Sequence, residues 1–118
     1  MNVLVEEPIK FSKFNKLLKD IESSNNEKIS ILGLTDSQKA HMIYSLYNYS
    51  KKSPVIVCPN VTSAKKMIQD LKFYSETEIV YLPPREVIYY DSDIESREIE
   101  NARVYAINKL IEGTPCII

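Results

Sequence analysis

The feature that most constrains the fold of this 118-residue chain is an alternation between short apolar runs and longer amphipathic stripes. Mostly apolar runs lie at residues 29–32, 55–58, 78–82 and from 116 onward, and stripes with helical spacing lie at residues 12–23, 37–50, 61–71 and 99–111. Continuously apolar runs are typical of strands buried on both faces of a parallel sheet. We therefore predict an α/β fold: a parallel β-sheet with helices on both faces.

The last residues bear on the domain organisation. Gly113, Thr114 and Pro115 predict a helix stop, and another apolar run begins directly after them. A chain that ends on the third residue of a core strand is typical of a truncated domain. We predict an N-terminal tail at residues 1–9 and a single truncated domain at residues 10–118, together forming the N-terminal fragment of a longer protein.

The charge distribution bears on possible partners. Residues 1–72 contain eleven lysines against seven acidic residues, whereas residues 73–118 contain four basic and nine acidic residues, and the formal net charge is −1. Nucleic-acid-binding domains gather basic side chains on one face, because much of their affinity comes from neutralising phosphates. The lysines here recur at helical spacing, as on any solvated helix face. We therefore expect no direct contact with nucleic acid.

A few residues bear on localisation and metal binding. No apolar run approaches the ~20 residues that span a bilayer, and the acidic residues near the start are atypical of a signal peptide. Cys58 and Cys116 both lie in apolar runs, as buried free cysteines do in a reducing cytoplasm. One histidine and no C-x-x-C motif provide no basis for a metal site. We expect a cytoplasmic protein without membrane contact or bound metal.

The first apolar run leads into a segment that resembles a phosphate-binding loop. Residues 33–40 align with the pattern G-x-x-x-x-G-K-[ST], between a predicted strand and a predicted helix. Gly33 and Lys39 match the first glycine and the lysine. Gln38 replaces the second glycine, and Ala40 replaces the hydroxyl residue. The candidate residues of this degenerate loop are Gly33, Thr35, Asp36, Ser37, Gln38, Lys39 and Ala40.

Each departure from the pattern removes part of the chemistry of nucleotide binding. The side chain of Gln38 obstructs the path along which backbone amides wrap phosphates. Ala40 has no oxygen for the Mg²⁺ ion that bridges the terminal phosphates, and Asp36 adds a negative charge inside the loop. We predict no ATP hydrolysis and no cofactor in this chain. The alternative interpretation is an ordinary strand-to-helix turn with a chance lysine.

Three stretches together resemble one protein family. They are the degenerate loop with the run before it, PVIVCPN at residues 54–60, and LPPREVIYYD at residues 82–91 with its continuation to Arg103. In this order and at this spacing, they resemble the N-terminal, UvrB-like region of bacterial transcription-repair coupling factors. The resemblance spans nearly all of residues 10–118, and the third stretch is its most specific part. It implies that the parallel sheet is of the P-loop or RecA-like kind found in domain 1a of helicases.

The resemblance implies a parent protein that is an ATP-dependent DNA translocase. Proteins of this family remove RNA polymerase stalled at DNA lesions and recruit UvrA in nucleotide excision repair. Their motor, which uses ATP and Mg²⁺, lies far C-terminal to the region matched here, and their UvrB-like module has lost its ATPase. The resemblance therefore implies a non-catalytic scaffold and interaction module, whose partners are other domains of the same parent chain.

The third stretch contains a second set of candidate residues, a possible interaction surface. Its members are Arg85, Glu86, Tyr89, Tyr90 and Arg97. Paired tyrosines can stack on single-stranded DNA, but such sites need a basic groove, and Glu86 is acidic. We therefore favour packing for the two tyrosines and intramolecular ion pairs for the two arginines. Residues 83–93 also leave no room for the DNA-clamping hairpin of UvrB.

Two alternatives remain open from the sequence. The first is a nucleotide-binding P-loop domain, such as the first half of a helicase motor. The second is a DNA-binding module that uses the lysine faces and the paired tyrosines. Binding of ATP with Mg²⁺ distinguishes the first from a scaffold, and salt-dependent binding to DNA distinguishes the second.

Overall fold

The computed structural model describes residues 12–23, 28–85 and 93–118. These residues contain four α-helices: α1 (Ser12–Glu22), α2 (Asp36–Ser50), α3 (Val61–Tyr74) and α4 (Asp93–Glu112). Each helix lies where an amphipathic stripe predicted one. The N-terminal tail predicted at residues 1–9 lies outside the described residues.

The predicted parallel β-sheet is wrong. Over the described ranges the chain has four helices and no β-strand, so the fold is not the α/β, RecA-like class. Three of the apolar runs are extended and adjacent, but within these ranges they form a single isolated parallel bridge, between Ile79 and Ile117. The remaining run, residues 29–32, has no backbone hydrogen bond to another described residue. Its side chains Ile29 and Leu32 are exposed.

The backbone pairing of residues 116–118 explains why the described residues contain an isolated bridge and no strand. Ile117 exchanges two backbone hydrogen bonds with residues 78–80, at 3.0 and 2.7 Å. Ile118 exchanges two with residues 54–56, at 3.1 and 2.7 Å. Each neighbouring segment is thus paired around one residue, whereas a parallel ladder needs several consecutive pairs.

The extended residues 116–118 lie between two buried clusters. The first cluster contains Ala40, Leu71 and Ile117, and the second contains Val80, Ala106, Cys116 and Ile118. Because successive side chains of an extended backbone point to opposite sides, Ile117 contacts α2 and α3 while its two neighbours contact α4. This short segment therefore joins the helices on its two sides.

α1 packs against α2 through one aromatic contact. Phe14 is buried, and its ring meets that of Tyr49 edge to face, with 6.1 Å between the centroids. The Lys52 ammonium also donates a hydrogen bond to the Ile21 carbonyl at 3.0 Å. These contacts fasten both ends of α1 to the rest of the chain.

Local signals determine where the helices begin and end. The side chain of Asn60 accepts a hydrogen bond from the Ser63 amide at 2.8 Å and so caps the start of α3. Lys51 follows α2 with a left-handed backbone, at φ +56°. Gly113 follows α4 at φ +66°, a conformation that glycine adopts at little cost. The helix stop predicted at Gly113 is confirmed.

Candidate functional site

The phosphate-loop-like segment forms the turn into α2. Gly33 has φ +83°, in the left-handed region, and no atom lies within 4 Å of the position that a Cβ would occupy. This glycine therefore serves the backbone conformation of the turn rather than a close packing contact. Ala40 lies seven positions further along the chain, as the fifth residue of α2.

The start of α2 is capped by its own side chains. The Thr35 hydroxyl accepts a hydrogen bond from the Gln38 amide at 3.4 Å, and the Gln38 side-chain oxygen accepts one from the Thr35 amide at 2.9 Å. This reciprocal pair is a capping box. Two of the amides that would face a phosphate in a phosphate-binding loop are therefore already hydrogen-bonded.

The lysine of the loop lies beside an acidic side chain. The Lys39 ammonium is 3.1 Å from one carboxylate oxygen of Asp36, and the Lys66 ammonium of α3 is 3.0 Å from the other. Hydrogen bonds from Lys66 and then Lys39 hold the pKa of the Asp36 carboxyl below its ordinary value. The same contact with Asp36 raises the pKa of Lys66. Since all three side chains are exposed, these ion pairs are weak.

Ala40, which stands at the hydroxyl position of the loop pattern, faces the core. It is completely buried and lies in the cluster with Leu71 and Ile117. Ser37, three residues earlier, is exposed. The structure thus gathers Thr35, Asp36, Gln38 and Lys39 at the helix start, and it directs position 40 away from them.

The sequence prediction missed two contributors to this region. Lys66 reaches Asp36 from α3, although its helical spacing indicated only a solvated lysine face. The capping box was present in the sequence as Thr35 followed three residues later by Gln38, the S/T-x-x-E/Q pattern of a helix start. The same residues fit both the phosphate-loop pattern and this simpler local pattern, and the structure forms the capping box.

Only part of the second set of candidate residues falls in the described ranges. Arg85 and Arg97 are exposed, and neither forms an ion pair with another described residue. Glu86, Tyr89 and Tyr90 lie outside the described residues. The possible interaction surface formed by these five residues therefore stays a prediction.

A polar cluster that the sequence did not predict joins α4 to the extended segment at residues 78–82. The Tyr105 hydroxyl donates a hydrogen bond to one carboxylate oxygen of Glu78, and the Lys109 ammonium is 2.9 Å from the other. The hydrogen bond from Tyr105, followed by that from Lys109, lowers the pKa of the Glu78 carboxyl. Tyr105 and Lys109 are four residues apart, which places them on one face of α4. This spacing of four residues was the sequence pattern that could have indicated the cluster.

The single histidine lies among aromatic rings. His41 of α2 stacks on Tyr74 of α3, with 5.0 Å between the ring centroids and 21° between the planes. Tyr44 stacks on the same ring at 6.5 Å. Within the described residues, no group of three or more His, Cys, Asp or Glu side chains could hold a metal ion. This arrangement indicates packing between two helices.

An apolar cleft of about 500 Å³ lies between α3 and the extended segments. Its lining comes from residues 55–61 and 79–82, from the apolar side of α3, and from Ile117 and Ile118. Two of the lining residues, Val57 and Leu82, are 91% and 38% exposed. Clefts of this size and character are the usual form of a ligand or peptide site.

Comparisons with protein-family models, curated proteins and solved structures find no match to this chain. Among the helices of the described residues, none has both the length and the apolar character required to cross a membrane.

Proposed function

We propose that the chain is a non-catalytic scaffold and interaction module of a bacterial transcription-repair coupling factor, working in the cytoplasm as part of a longer protein. The order and spacing of the three sequence stretches support this proposal. The parallel sheet predicted with it is absent from the described residues. Within the parent protein, other regions engage RNA polymerase, DNA and UvrA. This module binds neighbouring domains.

The observation that carries the non-catalytic assignment is the capped start of α2. The amides of Thr35 and Gln38 are hydrogen-bonded to side chains, and Lys39 is paired with Asp36. A bound polyphosphate would have to displace both arrangements and would meet the Asp36 carboxylate. The buried methyl group of Ala40 offers no ligand to Mg²⁺. Together these features oppose nucleotide binding at this loop.

Calorimetric titration of ATP with Mg²⁺ into the purified chain tests this assignment. We expect no saturable heat up to millimolar nucleotide. Asp36→Asn removes the carboxylate that would compete with a phosphate for Lys39. Asp20→Asn removes the same charge at an exposed position of α1 and is the matched control. Micromolar binding that Lys39→Ala abolishes would contradict the non-catalytic assignment and favour a P-loop nucleotidase.

A gel-retardation series with single- and double-stranded DNA tests the DNA-binding alternative. We expect no salt-dependent retardation, because the net charge is −1 and one lysine of α3, Lys66, is ion-paired with Asp36. A steep dependence of affinity on salt concentration would contradict this expectation.

The sequence of the gene tests the family assignment. We expect the reading frame to continue past codon 118 and to encode an intact G-x-x-x-x-G-K-[ST] loop in a C-terminal motor. A stop codon directly after Ile118 would contradict the assignment.

A further inference from the structure

We propose that Arg103 is a positioning residue of the interaction module, because its hydrogen bond to Pro83 fixes where residues 83–85 lie against α4. The Arg103 guanidinium donates to the Pro83 carbonyl at 2.6 Å. Arg85, a member of the possible interaction surface, follows Pro83 by two positions and is exposed. The bond therefore determines where this side chain is presented. This inference rests on the proposed function and names a residue on which the geometry of the module depends.

Polar contacts fasten the segment at residues 78–83 to α4 at both of its ends. At the start, the polar cluster on α4 holds the Glu78 carboxylate. Val80, between the two ends, belongs to a buried cluster that includes α4. At the end, Pro83 is buried and accepts the hydrogen bond from Arg103. The contact with Arg103 is thus the last point at which this segment is held to the helix.

This last contact matters because the end of the segment has few other hydrogen bonds. The amide of Val80 donates to the Ile117 carbonyl at 2.7 Å. Over residues 81–85, the bond from Arg103 is the one hydrogen bond to another residue of the described ranges. Loss of this bond would leave residues 81–85 without a polar attachment to the rest of the described chain.

Two consecutive prolines explain why a side chain supplies this bond. Pro83 and Pro84 have no backbone N–H, so neither can donate to a neighbouring segment, and only their carbonyls can be hydrogen-bonded. The carbonyl of a buried residue is costly to leave without a partner. A charged donor such as a guanidinium forms a stronger hydrogen bond to it than a neutral donor would. Arg103 is therefore well suited to hold the chain at this point.

An arginine-specific protease tests the proposal, because the three arginines of the chain all lie in this region, at Arg85, Arg97 and Arg103. Cleavage after Arg85 requires residues 83–85 to leave α4, whereas cleavage after Arg97 requires α4 itself to unwind. When opening and closing are fast relative to cleavage, the cleavage rate follows the population of the open form. Mass spectrometry of the fragments measures the rate at each site separately.

Arg103→Met retains the aliphatic stem and removes the donors. We expect cleavage after Arg85 to become about tenfold faster, because hydrogen bonds to charged groups are among the stronger ones in proteins. Cleavage after Arg97 should keep its rate. Arg103→Lys retains a charged donor and should be cleaved after Arg85 more slowly than Arg103→Met.

Three outcomes would overturn the proposal. The first is the same rate of cleavage after Arg85 in Arg103→Met and in the unmodified protein. The second is equal acceleration after Arg85 and Arg97, which indicates general unfolding and not release of one segment. The third is the same rate of cleavage after Arg85 in Arg103→Lys and Arg103→Met, because a charged donor would then make no difference.

Arg97→Met is the matched control. It removes the same charge from an exposed position of α4 that forms no ion pair with another described residue. We expect cleavage after Arg85 to keep its unmodified rate, and an effect as large as that of Arg103→Met would overturn the assignment to the Pro83 contact. Titration of ATP with Mg²⁺ on the same sample separates the two levels of inference, because nucleotide binding contradicts the proposed function, whereas unchanged cleavage contradicts this inference alone.

Discussion

Replacing Ala40 with threonine, the residue that a phosphate-binding loop would carry there, is expected to destabilise the protein. Ala40 is completely buried in the cluster with Leu71 and Ile117. Threonine adds two heavy atoms to this filled site, and overpacking of this kind costs about 1–3 kcal/mol. Its lower helix propensity adds about 0.5 kcal/mol. We expect the free energy of unfolding to fall by about 1.5–3.5 kcal/mol.

Urea unfolding followed by far-ultraviolet circular dichroism measures this change. Ala40→Val has nearly the same shape and is expected to lose about as much stability, since a threonine hydroxyl in a helix can donate to the carbonyl of the preceding turn. Ser37→Thr, at an exposed position in the same turn, is the control and should change stability by less than about 0.5 kcal/mol. If Ala40→Thr also fell within about 0.5 kcal/mol of the unmodified protein, the buried placement of position 40 would be refuted.

Two further predictions concern the helix cap and the polar cluster on α4. Thr35→Ala removes the cap of α2 and is expected to cost about 1 kcal/mol in urea unfolding, whereas Thr35→Ser retains the hydroxyl and most of the stability; equal losses would contradict the capping role. Hydrogen bonds from Tyr105 and then Lys109 hold the pKa of the Glu78 carboxyl below its ordinary value of 4.5. The stabilisation of the fold by the ionised carboxylate is therefore complete above pH 4.5 and is lost as the pH falls through the lower pKa of the folded state. Melting temperatures measured between about pH 6 and about pH 3 should therefore fall less steeply for Glu78→Gln than for the unmodified protein, and identical slopes would exclude this contribution.

The helices could be predicted from the sequence because their hydrogen bonds are local. The stripe at residues 12–23 corresponds to Ser12–Glu22, and the stripe at residues 37–50 corresponds to Asp36–Ser50. The helix stop at Gly113 follows from the backbone freedom of a single residue. Each of these features depends on residues within about one turn of one another.

The predicted strands are wrong because backbone pairing depends on residues that are distant in the sequence. The run at residues 55–58 is apolar, as a strand would be, yet its backbone pairing depends on Ile118, more than sixty positions away. Ile117 and Ile118 each pair around one position, so the apolar runs remain extended segments. Apolar composition indicates burial, but it does not specify how many consecutive residues find partners.

The candidate site divides in the same way between local pattern and tertiary contact. The cap of α2 is a local feature, since Thr35 and Gln38 are three residues apart and interact within one turn. The same local spacing makes Asp36 and Lys39 neighbours on one helix face. Packing between helices, in contrast, brings Lys66 of α3 to Asp36 and buries Ala40 in the core. The physical reason is that helix caps need only nearby atoms, whereas burial and charge pairing between helices arise when separate elements pack together.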